Sequence, residues 1–165
     1  MFTRADFNRY HWALILGPKS PQDSKATGTR FHAKERLVSV EGQLKASWQF
    51  EEMDISMLPV DMLLARIVVA KVSNRDHVVL VLRSTPIRMG VEGWNCVAWV
   101  KEALTLLMQN GRALGTSQTE WSAVRNSAME FIGRKKSEHR FDGQGDFDGS
   151  RVPTWDLIEG RELIP

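Results

Sequence analysis

The first half of the chain carries apolar runs that predict β-strands. Residues 10–16 (YHWALIL) form a short apolar run, and the Gly-Pro step after it ends the run, as in a buried strand. Residues 30–40 resume a strand pattern up to Glu41-Gly42, a dipeptide typical of a turn. Residues 44–50 then alternate apolar and polar side chains, which predicts a half-buried antiparallel strand.

The second half changes to helical spacing. Residues 67–72 (IVVAKV) are a last β-branched run, and residues 77–82 fit either a strand or a helix. Residues 97–108 and 119–135 place apolar side chains three and four positions apart, which predicts two amphipathic helices. Strands that precede helices predict an α+β fold, with an antiparallel sheet packed against C-terminal helices.

Length and composition predict one domain with a C-terminal extension. A chain of 165 residues, 42% hydrophobic and 25% charged, fits a single globular domain and excludes a disordered chain. We expect residues 1–136 to form this domain. Residues 137–165 are rich in Gly and Asp without periodicity, which predicts a tail that packs on the body through Trp155, Leu157 and Ile164.

Charge and hydropathy restrict the location and the partners. No apolar run reaches the roughly 18 residues of a transmembrane helix, and the N-terminus lacks the apolar stretch of a signal peptide. The net charge of +2, with both signs interspersed, predicts no nucleic-acid partner. We expect a cytoplasmic protein without a cofactor, and the sequence leaves its oligomeric state open.

Cys96, the single cysteine, opens a predicted helix, a position that suits a nucleophile. Helix N-termini carry about half a positive charge and unpaired N–H groups. These groups favour the thiolate, can lower the thiol pKa below about 8.5, and can hold an oxyanion. A lone cysteine on an amphipathic helix also fits a small core residue. Position alone leaves both interpretations open.

Two histidines on consecutive predicted strands could complete a site with Cys96. His11 opens the first strand and His32 lies on the next, so a hairpin would bring both to one end of the sheet. His11 would then be the base, and His32 would orient its ring. An ordinary hydrogen-bonded strand histidine is the alternative for His11. The three side chains could also ligate zinc, but nothing else in the sequence favours a metal, and none is expected.

The motifs around these residues resemble those of the lecithin–retinol acyltransferase-like family. Residues 11–17 (HWALILG) match the family's first histidine motif, and residues 30–33 (RFHA) hold a second histidine on the next strand. Residues 95–100 (NCVAWV) match its Asn-Cys-x-x-aromatic-Val frame at the start of a helix. The order His, His, Cys is that of circularly permuted papain-like enzymes, which include cell-wall peptidases. The resemblance implies that fold.

The sequence departs from the family pattern at three places. The loop over residues 18–28 is long and could act as an active-site lid. Val97-Ala98 stands where the family has a Glu-His pair. Residues 141–150 (FDGQGDFDGS) and the Trp155 segment replace the hydrophobic anchor of many members, and this tail could shape the pocket.

The resemblance implies a thiol-dependent hydrolase or acyltransferase that uses a Cys-His-His site and a thioester intermediate. Its acyl substrate would be a small molecule, a lipid or a peptide. Tyr10, Trp94 and Asn95 flank the site and are candidate substrate contacts, or else packing and turn residues. Two alternatives stay open. One is thiol- and histidine-assisted cyclisation, addition or isomerisation of a small-molecule intermediate, and the other is a non-catalytic binding domain with a structural Cys96.

Overall fold

A computed structural model describes residues 10–18, 26–59 and 63–165 of the chain. Within these ranges it contains eight strands and three helices. The strands are β1 (Leu14–Leu16), β2 (Thr27–Val40), β3 (Gln43–Ser56), β4 (Arg66–Val68), β5 (Ala70–Val72), β6 (Leu114–Ser117), β7 (Thr154–Asp156) and β8 (Arg161–Ile164). The helices are α1 (Arg75–Ser84), α2 (Cys96–Asn110) and α3 (Trp121–Ser137).

A long antiparallel hairpin of β2 and β3 organises the first half of the chain. Glu41 and Gly42 connect its strands with φ of 53° and 78°, the positive values that a type I′ turn requires at both positions. This two-residue turn sets a register in which His32 lies directly opposite Glu51. β1 pairs antiparallel with the other edge of β2. The predicted turn and strands are confirmed, although β1 is shorter and β3 longer than predicted.

The loop predicted between the first two strands differs from the structure at its C-terminal end. Thr27 and Gly28 already belong to β2, where they pair with β3. Residues 19–25 lie outside the described residues. The hypothesis that residues 18–28 form a lid therefore stays a prediction.

The apolar run over residues 67–72 is divided between two sheets. β4 pairs in parallel with β7, and β8 pairs antiparallel with β7. β5 pairs antiparallel with β6. Between the two strands, the carbonyl oxygen of Val69 accepts a hydrogen bond from the Gln118 backbone N–H at 2.8 Å. The prediction of one continuous strand is wrong, because each half finds its partner in a different later segment.

The C-terminal segment contributes regular structure. β7 and β8 complete a sheet with β4, so pairing crosses the predicted domain boundary at residue 136. The ring of Trp155 lies 5.9 Å from that of Phe131, and Ile164 is buried, as predicted for a segment that packs on the body. The predictions of an irregular tail and of helices that follow all strands are wrong. Strands of three and four residues are too short to show a hydrophobic period.

Residues 77–82, which fitted a strand or a helix, lie in α1. The side chain of Asn74 caps this helix by accepting the His77 backbone N–H at 3.1 Å. Val78 and Leu82, one turn apart, are buried against the core. A good cap and helical spacing outweigh the β-branched composition here. α2 and α3 agree with the two predicted helices.

One face of the hairpin packs on the helices and forms the core. Trp99 of α2 is fully buried, and its ring lies 5.8 Å from that of Phe50 on β3. Phe31 and Ala33 of β2 are fully buried in the same cluster. Because side chains alternate along a strand, the intervening residues of β2 point away from this core. The fold is α+β, with three helices and sheets that are antiparallel except for the pair of β4 and β7, and the predicted α+β class is confirmed.

None of the helices in the described residues is long and apolar enough to cross a membrane.

Candidate active site

Cys96 stands at the start of α2, where Asn95 caps the helix. Asn95 Oδ1 accepts hydrogen bonds from the backbone N–H groups of Val97 at 2.9 Å and Ala98 at 3.3 Å. This cap occupies two donors that the helix cannot pair internally. The residue at Cys96 is 7% exposed. Asn95 therefore sets the position of the cysteine, and its predicted contact with substrate stays a prediction.

Burial governs the acidity of the Cys96 thiol. It raises the pKa of the thiol, while the backbone N–H groups of Trp12, Val97 and Cys96 itself act in the opposite direction. The prediction that the helix start lowers this pKa is wrong in its net effect. The sulfur loses more stabilisation of its charge from water than the N–H groups restore. The resting form is the neutral thiol.

The sulfur of Cys96 lies beside the chain segment that carries His11. The backbone N–H of Trp12, which acts to lower the pKa of the Cys96 thiol, belongs to the peptide bond between His11 and Trp12. The start of α2 and the approach to β1 therefore meet at this point. The start of α2 at the predicted nucleophile thus lies close to the backbone of the residue that follows the predicted base, although the two segments are far apart in sequence.

His11 and His32 are in direct contact. His11 Nε2 and His32 Nδ1 are 2.5 Å apart, and the two rings meet edge to face with centroids 4.8 Å apart. His32 projects from β2 and is 3% exposed, whereas His11 lies at the surface. The pairing of the two histidines that the sequence predicted is thus present.

A carboxylate that sequence reasoning missed extends this pair. Glu51 Oε2 lies 2.7 Å from His32 Nε2, and Glu51 Oε1 accepts from Arg36 at 2.6 Å. Lys34 and Arg30 lie 3.5 Å and 3.4 Å from the same carboxylate. Chiefly because of the bond to His32, the pKa of Glu51 is lowered to about 2. Glu51 is ionised at any pH near neutrality.

The sequence contained a signal that would have found Glu51. A two-residue turn at Glu41-Gly42 fixes the pairing of every residue in the hairpin. His32 is as far before this turn as Glu51 is after it, so the two are direct cross-strand partners. Side chains that are directly opposite lie on the same face of a sheet. Predicting the turn type together with the turn would have paired them.

Both histidines are neutral near pH 7. Loss of water around its ring, followed by repulsion from His32, Arg30 and Lys34, lowers the pKa of His11. Burial also lowers the pKa of His32, and the hydrogen bond to Glu51 only partly opposes it. A neutral imidazole can accept a proton, so His11 is in the form that a general base requires.

Two further predicted site residues are held by the fold. The Tyr10 hydroxyl accepts a hydrogen bond from Lys136 at the end of α3, and the Lys136 Nζ lies 5.0 Å from the Tyr10 ring centre. Trp94 is 9% exposed, and its ring packs edge to face on Trp48 at 5.5 Å. These described contacts are packing and anchoring contacts. A role for either residue in substrate binding stays a prediction.

The described residues offer no metal centre, and one cleft among them lies away from the predicted site. Among them, no group of three or more His, Cys, Asp or Glu side chains is arranged to hold a metal ion. A cleft of about 510 Å³ lies between the far end of β1, β3 and the start of α1, with Leu16, Thr29, Asp54 and Arg75 in its lining. It contains none of the predicted site residues.

Comparison with known proteins places the chain in a family without assigning a reaction. Residues 2–164 match the family described as "Family of unknown function (DUF6914)". The chain belongs to this family. In this DUF6914 protein the match spans both the His-His-Cys segment and the C-terminal strands. No curated protein and no solved structure matches the chain.

Proposed function

We propose that this DUF6914 protein is a thiol-dependent hydrolase or acyltransferase with a circularly permuted papain-like arrangement. Cys96 is the nucleophile, His11 the base and His32 the residue that orients His11. One observation carries the proposal. A hydrogen-bonded imidazole pair ends at His11, and the backbone N–H of the next residue, Trp12, lies close enough to the Cys96 thiol to lower its pKa. The order of motifs along the chain and the start of a helix at the cysteine add support.

The protonation states of Cys96 and His11 favour proton transfer during nucleophilic attack over a permanent thiolate–imidazolium ion pair. The raised pKa of Cys96 keeps the thiol neutral, and the lowered pKa of His11 keeps the imidazole unprotonated. A neutral thiol and a neutral base exchange their proton only as the nucleophile is consumed. The backbone N–H groups of Trp12 and Cys96 are suited to hold negative charge at the start of α2, whereas Asn95 already accepts the N–H of Val97.

The reaction proceeds in two balanced steps. The sulfur of Cys96 bonds to the acyl carbonyl carbon while His11 takes the thiol proton, and the carbonyl electrons move to oxygen. As the tetrahedral intermediate collapses, the leaving group departs with the proton from His11 and a thioester remains. Water, an alcohol or an amine then attacks the thioester, and His11 removes its proton and returns it to the departing thiol. The substrate is a small-molecule, lipid or peptide acyl compound, met in the cytoplasm without nucleic acid.

Acyl trapping tests this proposal directly. The purified protein is mixed with p-nitrophenyl acetate or p-nitrophenyl octanoate, quenched with acid and measured by intact mass. We expect one acyl group per chain, released by hydroxylamine and absent in Cys96→Ala. His11→Ala should slow acylation by about 10²- to 10⁴-fold, the usual contribution of a general base.

The matched control is His139→Ala, which removes an exposed histidine bonded to Asp142 and should leave the rate unchanged. Equal acylation rates in the wild type and His11→Ala, or acylation at sites other than Cys96, would contradict the assignment of His11 and Cys96.

A non-catalytic binding domain is the second candidate, and the burial of Cys96 favours it. A 7% exposed cysteine with a raised pKa is also what a structural core residue would be. In that case Cys96→Ala would lower the free energy of unfolding, and the wild type would form no acyl adduct with either ester.

A further inference from the structure

Glu51 controls more than the orientation of His32, because its ionised carboxylate can only accept hydrogen bonds. The 2.7 Å contact with His32 Nε2 therefore requires a proton on that nitrogen. A neutral imidazole carries one proton, so His32 Nδ1 must be the unprotonated nitrogen. This assignment depends on the contact and on simple valence.

The same reasoning carries one residue further. His32 Nδ1 is an acceptor, so the 2.5 Å contact with His11 Nε2 requires His11 to donate from Nε2. The lone pair of neutral His11 is then on Nδ1. Glu51 thus decides the positions of both protons through two hydrogen bonds, although it lies two side chains away from the thiol.

We propose that Glu51 is the positioning residue that fixes the tautomers of His32 and His11 and so leaves His11 Nδ1 as the base. This inference rests on the proposed function in one respect only, namely that the proton accepted by His11 Nδ1 comes from the Cys96 thiol. The tautomers themselves follow from the contacts and are measurable without any substrate.

The cations around Glu51 make an amide at this position a specific test. Arg36 and Lys34 approach Oε1 at 2.6 Å and 3.5 Å, whereas His32 approaches Oε2 at 2.7 Å and Arg30 approaches it at 3.4 Å. In Glu51→Gln the amide oxygen faces Arg36 and Lys34, because an NH₂ group there would oppose the Arg36 donor at 2.6 Å. At the other position it opposes only the more distant Arg30 at 3.4 Å. The NH₂ group then faces His32 and donates to Nε2.

That single change reverses the direction of both hydrogen bonds, the one between residue 51 and His32 and the one between His32 and His11. His32 must carry its proton on Nδ1 and donate it to His11 Nε2, so the proton of His11 moves to Nδ1. The base then has no lone pair at the nitrogen that faces away from His32. Replacing an orienting carboxylate by an amide in this manner costs up to about 10⁴-fold in rate, since the geometry survives with the wrong tautomer.

Nitrogen-15 NMR of the imidazoles provides the direct test. A His77→Gln/His139→Gln background leaves only His11 and His32 of the four histidines. At about pH 8, above the histidine pKa values, we expect protonated Nε2 and unprotonated Nδ1 in both rings. Glu51→Gln should exchange the two states in both rings. A wild-type spectrum with a protonated Nδ1 on His32 would overturn the proposal, whether or not any variant folds.

The acylation assay gives an independent ranking. Glu51→Ala leaves either tautomer accessible, so it should slow acylation less than Glu51→Gln does. A merely structural role predicts the opposite order, because glutamine keeps the length and most contacts of glutamate. Glu51→Asp should retain the wild-type tautomers. Glu52→Gln is the matched control, since Glu52 binds Arg83 and projects from the opposite face of β3.

Failure of this inference and failure of the proposed function give different results. Tautomers that reverse in Glu51→Gln, with no acyl adduct in the wild type, would support the positioning role and overturn the proposed function. Normal acylation of the wild type, with tautomers that do not change in Glu51→Gln, would support the proposed function and overturn the positioning role of Glu51.

Discussion

Two charged clusters in this protein are built in opposite ways. At Glu51, three cationic side chains and one imidazole converge on a single carboxylate. At Lys135, two carboxylates converge on a single ammonium, with Glu138 at 2.7 Å and Glu162 at 2.6 Å. The side chain of Lys135 is 2% exposed, and its Nζ lies 5.7 Å from the ring of Phe131.

The difference separates a cluster that holds elements together from one that can move a proton. The Lys135 cluster is closed, because its charges meet one another and tie α3 to β8. The Glu51 cluster continues through His32 to His11, which lies at the surface beside the Cys96 segment. Imidazoles change charge near neutral pH, whereas ammonium and carboxylate groups in ordinary surroundings do not. Burial of charge alone is therefore a poor indicator of function. A better indicator is whether the hydrogen bonds of the cluster lead to a titratable side chain at the surface, as they do at His11.

Removing the central charge of the closed cluster should have the largest effect on stability. Lys135→Met keeps most of the apolar stem but removes the buried one of two cations that Glu138 and Glu162 share, the other being Arg134. We expect the free energy of unfolding to fall by somewhat less than the roughly 3 kcal/mol of a fully buried broken pair, because the carboxylates are 37% and 26% exposed and keep Arg134. Urea denaturation measures this, with the exposed Lys101→Met as control. The imidazole tautomers should not change, and a change in them would break the distinction between the two clusters.

Acid should weaken the open cluster in a defined pH range. The pKa of Glu51 is lowered from 4.5 to about 2, so the unfolded chain takes up this proton first as pH falls. The stabilising contribution of Glu51 is complete above about pH 4.5 and is lost as pH falls toward 2. The stability difference between the wild type and Glu51→Gln should therefore shrink over this range in urea denaturation. A difference that stays constant with pH would show that the carboxylate charge contributes nothing.

Loss of the helix cap should affect the nucleophile without affecting the histidines. Asn95→Ala removes the acceptor for Val97 and Ala98 and should cost about 1 kcal/mol of stability. Asn126→Ala, at an exposed position within α3, is the control and should cost nothing. Altered His11 or His32 resonances in Asn95→Ala would mean that the cap also supports the imidazole pair.

The smallest expected effect tests the excess positive charge of the open cluster. Lys34 is one of the charges that lower the pKa of His11. Lys34→Met should raise that pKa only slightly, because the lysine is 44% exposed and is screened by solvent. NMR titration of the His11 ring protons measures the shift. Lys71→Met, on β5, should leave it unchanged, and an equal shift in both variants would exclude a local effect.

Features that depend on neighbouring residues were predictable from the sequence. The turn at Glu41-Gly42, the alternation along β3 and the spacing of α2 are each contained in a short segment. The same holds for the start of α2 at Cys96, which Asn95 caps through its own side chain. Such features are predictable because local backbone preferences and local hydrogen bonds determine them.

Features that depend on distant pairing were not predictable. The sequence of β4 and β5 reads as one strand, but β4 pairs with β7 and β5 pairs with β6, so the two lie in different sheets. The short C-terminal strands carry no visible period, because they have only three and four residues. Pairing of β7 with β4 and of β8 with β7 stabilises them.

The sequence by itself determined which residues could perform chemistry, and it included the hairpin register that places Glu51 opposite His32. Tertiary structure alone decided the protonation states of these residues. Burial of Cys96 raises its pKa against the effect of the helix start, and desolvation with nearby cations lowers the pKa of His11. Acidity depends on the solvent and charges that surround a group, and folding brings these together from segments far apart in the chain.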